Sequence, residues 1–201
     1  MTDETVETPT GTTRFALPSR ILHWLMVPMV IAQLFIGVTM VAALAYYPLL
    51  LAIHRPLGLL ILVFAVVRLV NRLTHKLPPF LSTMSPAERR IASWSEYLLY
   101  ALLLIQPLVG WAMLSAARFP ITLFGPVHLP GIAPHDIDVY AVLRACHSVF
   151  AFLLFATFTA HLCAVLFHTL VLRDRLLDRM AVWPTKAPSP HQDEAAPKPS
   201  P

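Results

Sequence analysis

The stretch CHSVFAFLLFATFTAHLCAVLFH, residues 146–168, runs without Asp, Glu, Lys or Arg and sets His147 and His161 fourteen residues apart. At about 100° and 1.5 Å per residue, that spacing leaves the two imidazoles within about 40° on one helix face and roughly 21 Å apart. A polar side chain inside a membrane needs a partner, and neutral imidazole is a common metal ligand. The stretch therefore predicts one spanning helix that offers two ring nitrogens to a bundle interior, one near each side of a bilayer.

The rest of the chain agrees with that environment. Of its 201 residues 57% are hydrophobic and 13% are charged, and the mean hydropathy is +0.65. A soluble domain carries about 25% charged residues. No Asp, Glu, Lys or Arg stands between Arg20 and Arg55, from Tyr97 to Ala117, or from Ala145 to Leu172. A spanning helix needs about 20 apolar residues. The first window holds one helix and the start of a second, with a break at Tyr46-Tyr47-Pro48. Four helices follow, at about 19–46, 49–73, 91–117 and 139–172, giving an all-α transmembrane four-helix bundle over residues 17–183. Residues 1–16 are expected to be a disordered N-terminal segment. They have no apolar h-region, so no cleavable signal peptide is expected, and the first helix serves as the insertion signal. Residues 184–201, PTKAPSPHQDEAAPKPSP from Pro184, are expected to be a disordered Pro-rich tail.

Charge sets the orientation. Of fifteen Lys and Arg residues, twelve flank one side of the helices, and only Arg55, Arg118 and Arg144 lie toward the other. The positive-inside rule places both termini on the cytoplasmic side. The formal net charge of +4 is then a matter of topology, and nucleic acid is not an expected partner. Cys146 and Cys163 lie about 25 Å apart along one helix, too far for a disulfide, and read as small apolar fillers.

Matching depths pairs the four membrane histidines in one way: His54 with His147 on the outer side, His23 with His161 on the inner side. Two bis-histidine haems account for that ladder, and doubly ligated haem iron suits electron transfer rather than oxygen binding. Gly58, one turn after His54, is expected to let a flat macrocycle approach the backbone. Gly37 falls at the outer level, and Gly110 marks a close approach of a cofactor or a helix. Arg68 falls at the inner level, as a partner for a porphyrin carboxylate or as a snorkelling cation. Arg55, Arg118 and Arg144 surround the outer level, where they either steer an anionic reductant or neutralise haem propionates. Asp136 and Asp138 temper that field. His168 is an interfacial histidine or a residue that hydrogen-bonds a quinone, transfers its protons or competes as an axial ligand. His75, His128, His135 and His191 are expected to be solvated. A histidine-lined metal or proton transporter is the competing class, disfavoured because no internal repeat is seen and few acidic residues enter the spans, Glu96 being the clearest.

These residues resemble the bacterial cytochrome b-561 family of four-helix di-haem membrane cytochromes. The likeness covers about residues 15–183 and is carried by ILHWL (21–25), IHRPLG (53–58), VVRLVNRL (66–73), QPLVGW (106–111), RFPITLFG (118–125), the opening stretch 146–168 and RDRLLDRM (173–180). The resemblance implies that His23, His54, His147 and His161 are axial ligands of two haems b. It further implies a superoxide oxidase that passes electrons from periplasmic superoxide to ubiquinone, with Arg144 beside the outer histidine. Other members relay electrons as anchor subunits of a periplasmic dehydrogenase or hydrogenase, and the short outer loops favour the stand-alone form.

Overall fold

The computed structural model describes residues 14–81, 84–119, 129–174 and 176–184. Its frame is four long helices: α1 (Leu17–Ala42), α2 (Tyr47–Thr74), α3 (Pro86–Ala116) and α4 (Ile137–Leu166). All four are long and apolar enough to cross a membrane. The expected N-terminal segment is described only from Arg14, and the expected tail only at Pro184; His128, His191, Gly125, Arg175, Lys186 and Lys198 lie outside the described residues.

The helix ends follow local chemistry that hydropathy does not register. The apolar run of the first helix continues to Tyr46, yet α1 stops at Ala42; Ala43 turns to φ −130° and Leu44–Tyr46 form a tight 3₁₀ turn. Pro48 then enters the first turn of α2, where its missing N–H costs nothing. α3 begins five residues before the expected 91. Ser85 Oγ accepts from the Glu88 N–H at 3.3 Å, and Glu88 Oε2 accepts from the Ser85 N–H at 2.7 Å. This capping box starts the helix on a polar turn. Asp136 caps α4 by accepting from the N–H groups of Asp138 (2.8 Å) and Val139 (3.0 Å), which hold its carboxyl below the usual carboxylate range.

Consecutive helices pack on one another: α1 on α2, α2 on α3 and α3 on α4. Cross-helix bonds fix their antiparallel sense. Asn71 Nδ2 donates to Ser19 Oγ at 2.6 Å, joining the end of α2 to the start of α1, and Arg72 pairs with Glu96 at 2.7 Å across α2 and α3. The end of the bundle that carries both termini is called the terminal end below, and the opposite one the far end. At the terminal end the two chain ends are clasped. Arg14 donates to the carbonyls of Asp178, Ala181 and Trp183, Arg20 to that of Ala181, and Trp24 Nε1 to that of Met180, with the Trp24 and Trp183 rings 5.1 Å apart.

Polarity is inverted relative to a water-soluble protein. Phe35 is 70% and Phe152 77% exposed on the outer surface, as lipid contact requires. The packed interior is a small apolar cluster of Met26, Val30, Ile61 and Ala65, flanked by Leu57, Leu104 and Phe158. It sits midway along the helices. Ala65 is fully buried there, so Ala65→Leu is expected to overpack the layer and destabilise the bundle by about 1–3 kcal/mol. Thermal unfolding in detergent measures it, and an unchanged midpoint would show that the layer has room to spare.

Candidate functional site

The central apolar cluster divides the interior into two polar levels. Along α1 it lies between His23 and Gly37, along α2 between His54 and Arg68, and along α4 between His147 and His161.

At the far end the His54 and His147 rings face each other across the bundle, centroids 6.2 Å apart and inclined at 74°. Each Nδ1 is buried and has no hydrogen-bond partner. Two unpartnered ring nitrogens in an apolar interior are costly unless something binds them. The spacing suits one metal atom at about 2 Å from a nitrogen of each ring. Among the described residues no three His, Cys, Asp or Glu side chains converge on a point. A two-imidazole set matches a metal that brings its other ligands with it, as iron in a porphyrin does, so these residues fit a haem.

The surroundings of the pair were only partly expected. Gly110 lies against His147 itself: a Cβ there would stand 3.0 Å from His147 Cε1, tight enough that the ring would have to shift. A Cβ on Gly37 would be in ordinary contact with His54 Cε1 at 4.0 Å. At Gly58 the nearest atom is Gln33 Nε2, at 3.1 Å, so its missing side chain accommodates that glutamine. Gln33 donates to the main-chain carbonyl of His54 at 3.1 Å, and Gln106 donates to that of His147 at 3.0 Å. Neither glutamine was singled out in the sequence. The signal was present: QLFIG at 33–37 and QPLVG at 106–110 repeat one Q-x-x-x-G pattern, so the chain does hold a short internal repeat.

At the terminal end His23 is within electrostatic range of both His161 and Arg68, and His161 of Arg68 and Glu96. Arg68 Nε donates to the Tyr100 hydroxyl at 3.1 Å, with its guanidinium 5.8 Å from the Tyr100 ring centre. Arg68, Tyr100, Arg72 and Glu96 line a polar cavity closed by Phe15 and Met180.

The remaining candidates fall as follows. Arg55 lies in the third turn of α2, Arg118 follows α3 and Arg144 lies in the first turns of α4, so all three stand toward the far end. Arg55 lies 6.0 Å from the Phe119 ring centre and its Nε is buried without a partner. Arg118 adopts φ 57°, and Arg144 is exposed, with a long 3.4 Å contact to the Tyr140 hydroxyl. His168 is the second residue of a π-helical turn, Phe167–Leu172, into which the chain widens at the end of α4. It is buried, and its Nδ1 meets Asp174 Oδ2 at 2.5 Å. His135, expected to be solvated, bonds the Ala116 carbonyl at 2.8 Å and ties the start of α4 to the end of α3. His75 is exposed at the end of α2 and bonds the Asn71 carbonyl. Cys146 and Cys163 are free thiols.

Comparison with known proteins adds an independent line. The sequence profile described as prokaryotic cytochrome b561 matches residues 14–182. A protein of Yersinia pestis named probable superoxide oxidase CybB is 29% identical over 160 residues, covering 79% of this chain and 90% of its own length. Cytochrome b561 homolog 1 of Escherichia coli (strain K12) is 24% identical over 176 residues, 83% of this chain and 96% of its own. Homolog 2 of the same strain is 28% identical over 120 residues, 58% and 64% respectively.

Proposed function

Because the chain belongs to the prokaryotic cytochrome b561 family, we propose that it is a superoxide oxidase of the bacterial inner membrane. It holds two haems b, one between His54 and His147 and one between His23 and His161, and has ubiquinone as electron acceptor. Family membership makes it a haem-b-binding membrane cytochrome of electron transport and favours this reading over a histidine-lined transporter. The finer activity draws support from the Yersinia pestis relative's name. The observation that carries the reading is the far-end pair, two imidazoles 6.2 Å apart whose buried Nδ1 atoms lack partners.

Haem b supplies a one-electron iron couple whose potential depends on its axial ligands and surroundings. The overall reaction oxidises two superoxide anions to two molecules of O₂ and reduces one ubiquinone, with two protons, to ubiquinol. The chain's own residues do the rest. α1, α2 and α4 carry the ligating imidazoles, and the Met26–Val30–Ile61–Ala65 cluster keeps water from between the two levels. Arg55, with its free Nε, and Arg68 are suited to haem carboxylates. Arg118 and Arg144 make the far end attractive to a small anion. His168, hydrogen-bonded to Asp174 near the terminal end, is the candidate quinone-site residue. The excess of Lys and Arg at that end supports a cytoplasmic orientation for it.

The test is a reduced-minus-oxidised spectrum of the purified protein, a haem count per chain and an assay of superoxide-dependent ubiquinol formation. Two haems and ubiquinol formation are expected. Absence of haem after growth with ample haem supply would overturn the ligand assignments. Two haems without superoxide activity, with a larger dehydrogenase copurifying, would make the chain a relay subunit. Within the same preparation series, Gly110→Ala is expected to lower the haem count from two toward one, because its Cβ meets the His147 ring at 3.0 Å.

A further inference from the structure

We propose that Gln33 and Gln106 are the positioning residues of the far-end level, each fixing one ligating histidine through its main chain. They are equivalent members of two repeated helical hairpins. The inference rests on the bis-histidine reading of His54 and His147.

The equivalence is visible in the bonding. On the α1–α2 hairpin, Gln33 Nε2 donates to the carbonyl of His54, and Gly37, one turn on, clears the His54 ring. On the α3–α4 hairpin, Gln106 Nε2 donates to the carbonyl of His147, and Gly110, one turn on, clears the His147 ring. Of all the carbonyls that α2 and α4 offer, each glutamine bonds the one belonging to the histidine. α1 and α3 run in one direction, and α2 and α4 in the other, so the hairpins are related by an axis along the bundle, as parallel repeats in membrane proteins are. The His54 and His147 rings meet near that axis.

The repeat fails at the terminal end, and the failure is informative. His23 lies ten residues before Gln33, and the residue ten before Gln106 is Glu96. His161 lies fourteen residues after His147, and the residue fourteen after His54 is Arg68. The terminal level thus draws one histidine from each hairpin and sets Glu96 and Arg68 at the equivalent places. No glutamine serves its histidines among the described hydrogen bonds, so the clamp belongs to the far-end level alone.

Space-filling does not explain the two glutamines. An amide in an apolar span is costly, and methionine would fill the same volume. Both glutamines also leave Oε1 buried without a partner. Evenly half-satisfied amides at equivalent positions point to a use for the one bond each makes. That bond sets the height and turn of the backbone from which the imidazole hangs, so ring orientation at the metal, and with it the redox poise, depends on it.

The experiment uses full-length Gln33→Met and Gln106→Met in detergent, read by low-spin electron paramagnetic resonance and by redox titration of both haems. Each substitution is expected to shift the far-end haem by at least about threefold in its reduced-to-oxidised ratio at fixed ambient potential. For a one-electron couple that is about 30 mV at 59 mV per tenfold. The two shifts should share a sign, and the terminal-end haem should not move. Loss of the far-end haem with retention of the other would also support the assignment. Unmoved signals, an equal effect on both haems, loss of both, or an effect from one glutamine alone would overturn it. Absence of haem from the unsubstituted protein would instead overturn the bis-histidine reading beneath it.

Discussion

Replacing His147 with alanine is expected to leave one haem per chain in place of two, the remaining haem keeping its spectrum and potential. His147 and His54 form a level of their own, separated from His23 and His161 by the cluster around Val30, Ile61 and Ala65. Changes at sites more than about 7–10 Å apart with no shared partner are nearly additive, so loss at one level should not spread. Alanine is the best helix former, and α4 needs no contact of the His147 side chain to span the membrane. The altered chain should therefore insert and fold. His161→Ala should give the complementary product, retaining the far-end haem. A count of two for His147→Ala would refute the ligand assignment outright. A count of zero would mean that the two levels stand or fall together.

The contrast between the levels also shows what a sequence exposes and what it conceals. The spans were legible because long uncharged windows are a bulk property, and that His54 stands beside His147 was legible because helix rise is uniform. Helix ends were less so, since α1 stops at Ala42 inside an unbroken apolar run and α3 starts on the polar Ser85–Glu88 turn. Partners of buried polar groups were hardly legible at all. Arg68 with Tyr100 and Arg72 with Glu96 are thirty-two and twenty-four residues apart, and only the packing of α2 on α3 brings them together. That Gln33 Nε2 stands beside Gly58 is a contact between α1 and α2, which a helical wheel of α2 alone cannot reveal. The partner of His168 was likewise out of reach, because Asp174 lies past a π-helical turn beyond the end of α4.

Reversing the charge at Arg144 is expected to slow reduction by superoxide roughly 3–10-fold at low ionic strength, a modest part of the 10–10³-fold that a whole steering field can supply. The far end carries three cations, Arg55, Arg118 and Arg144, against Asp136 and Asp138. Arg144→Glu therefore changes the local balance from plus one to minus one. Arg144 is the one to alter because it is exposed and, among the described residues, its guanidinium makes only a long 3.4 Å approach to Tyr140, so the bundle should not register its loss. Arg55, by contrast, has a buried Nε, and changing it would disturb the level itself. Salt separates steering from any structural effect. The Debye length falls from about 10 Å at 0.1 M to about 3 Å at 1 M, so the unsubstituted protein should slow as salt rises while Arg144→Glu changes little or quickens. The two rates should converge at high salt, and reduction by an uncharged donor should be the same for both at every ionic strength. A gap that persists at 1 M salt would assign Arg144 a local role beside His147. Rates insensitive to both salt and substitution would remove these cations from the path of the donor.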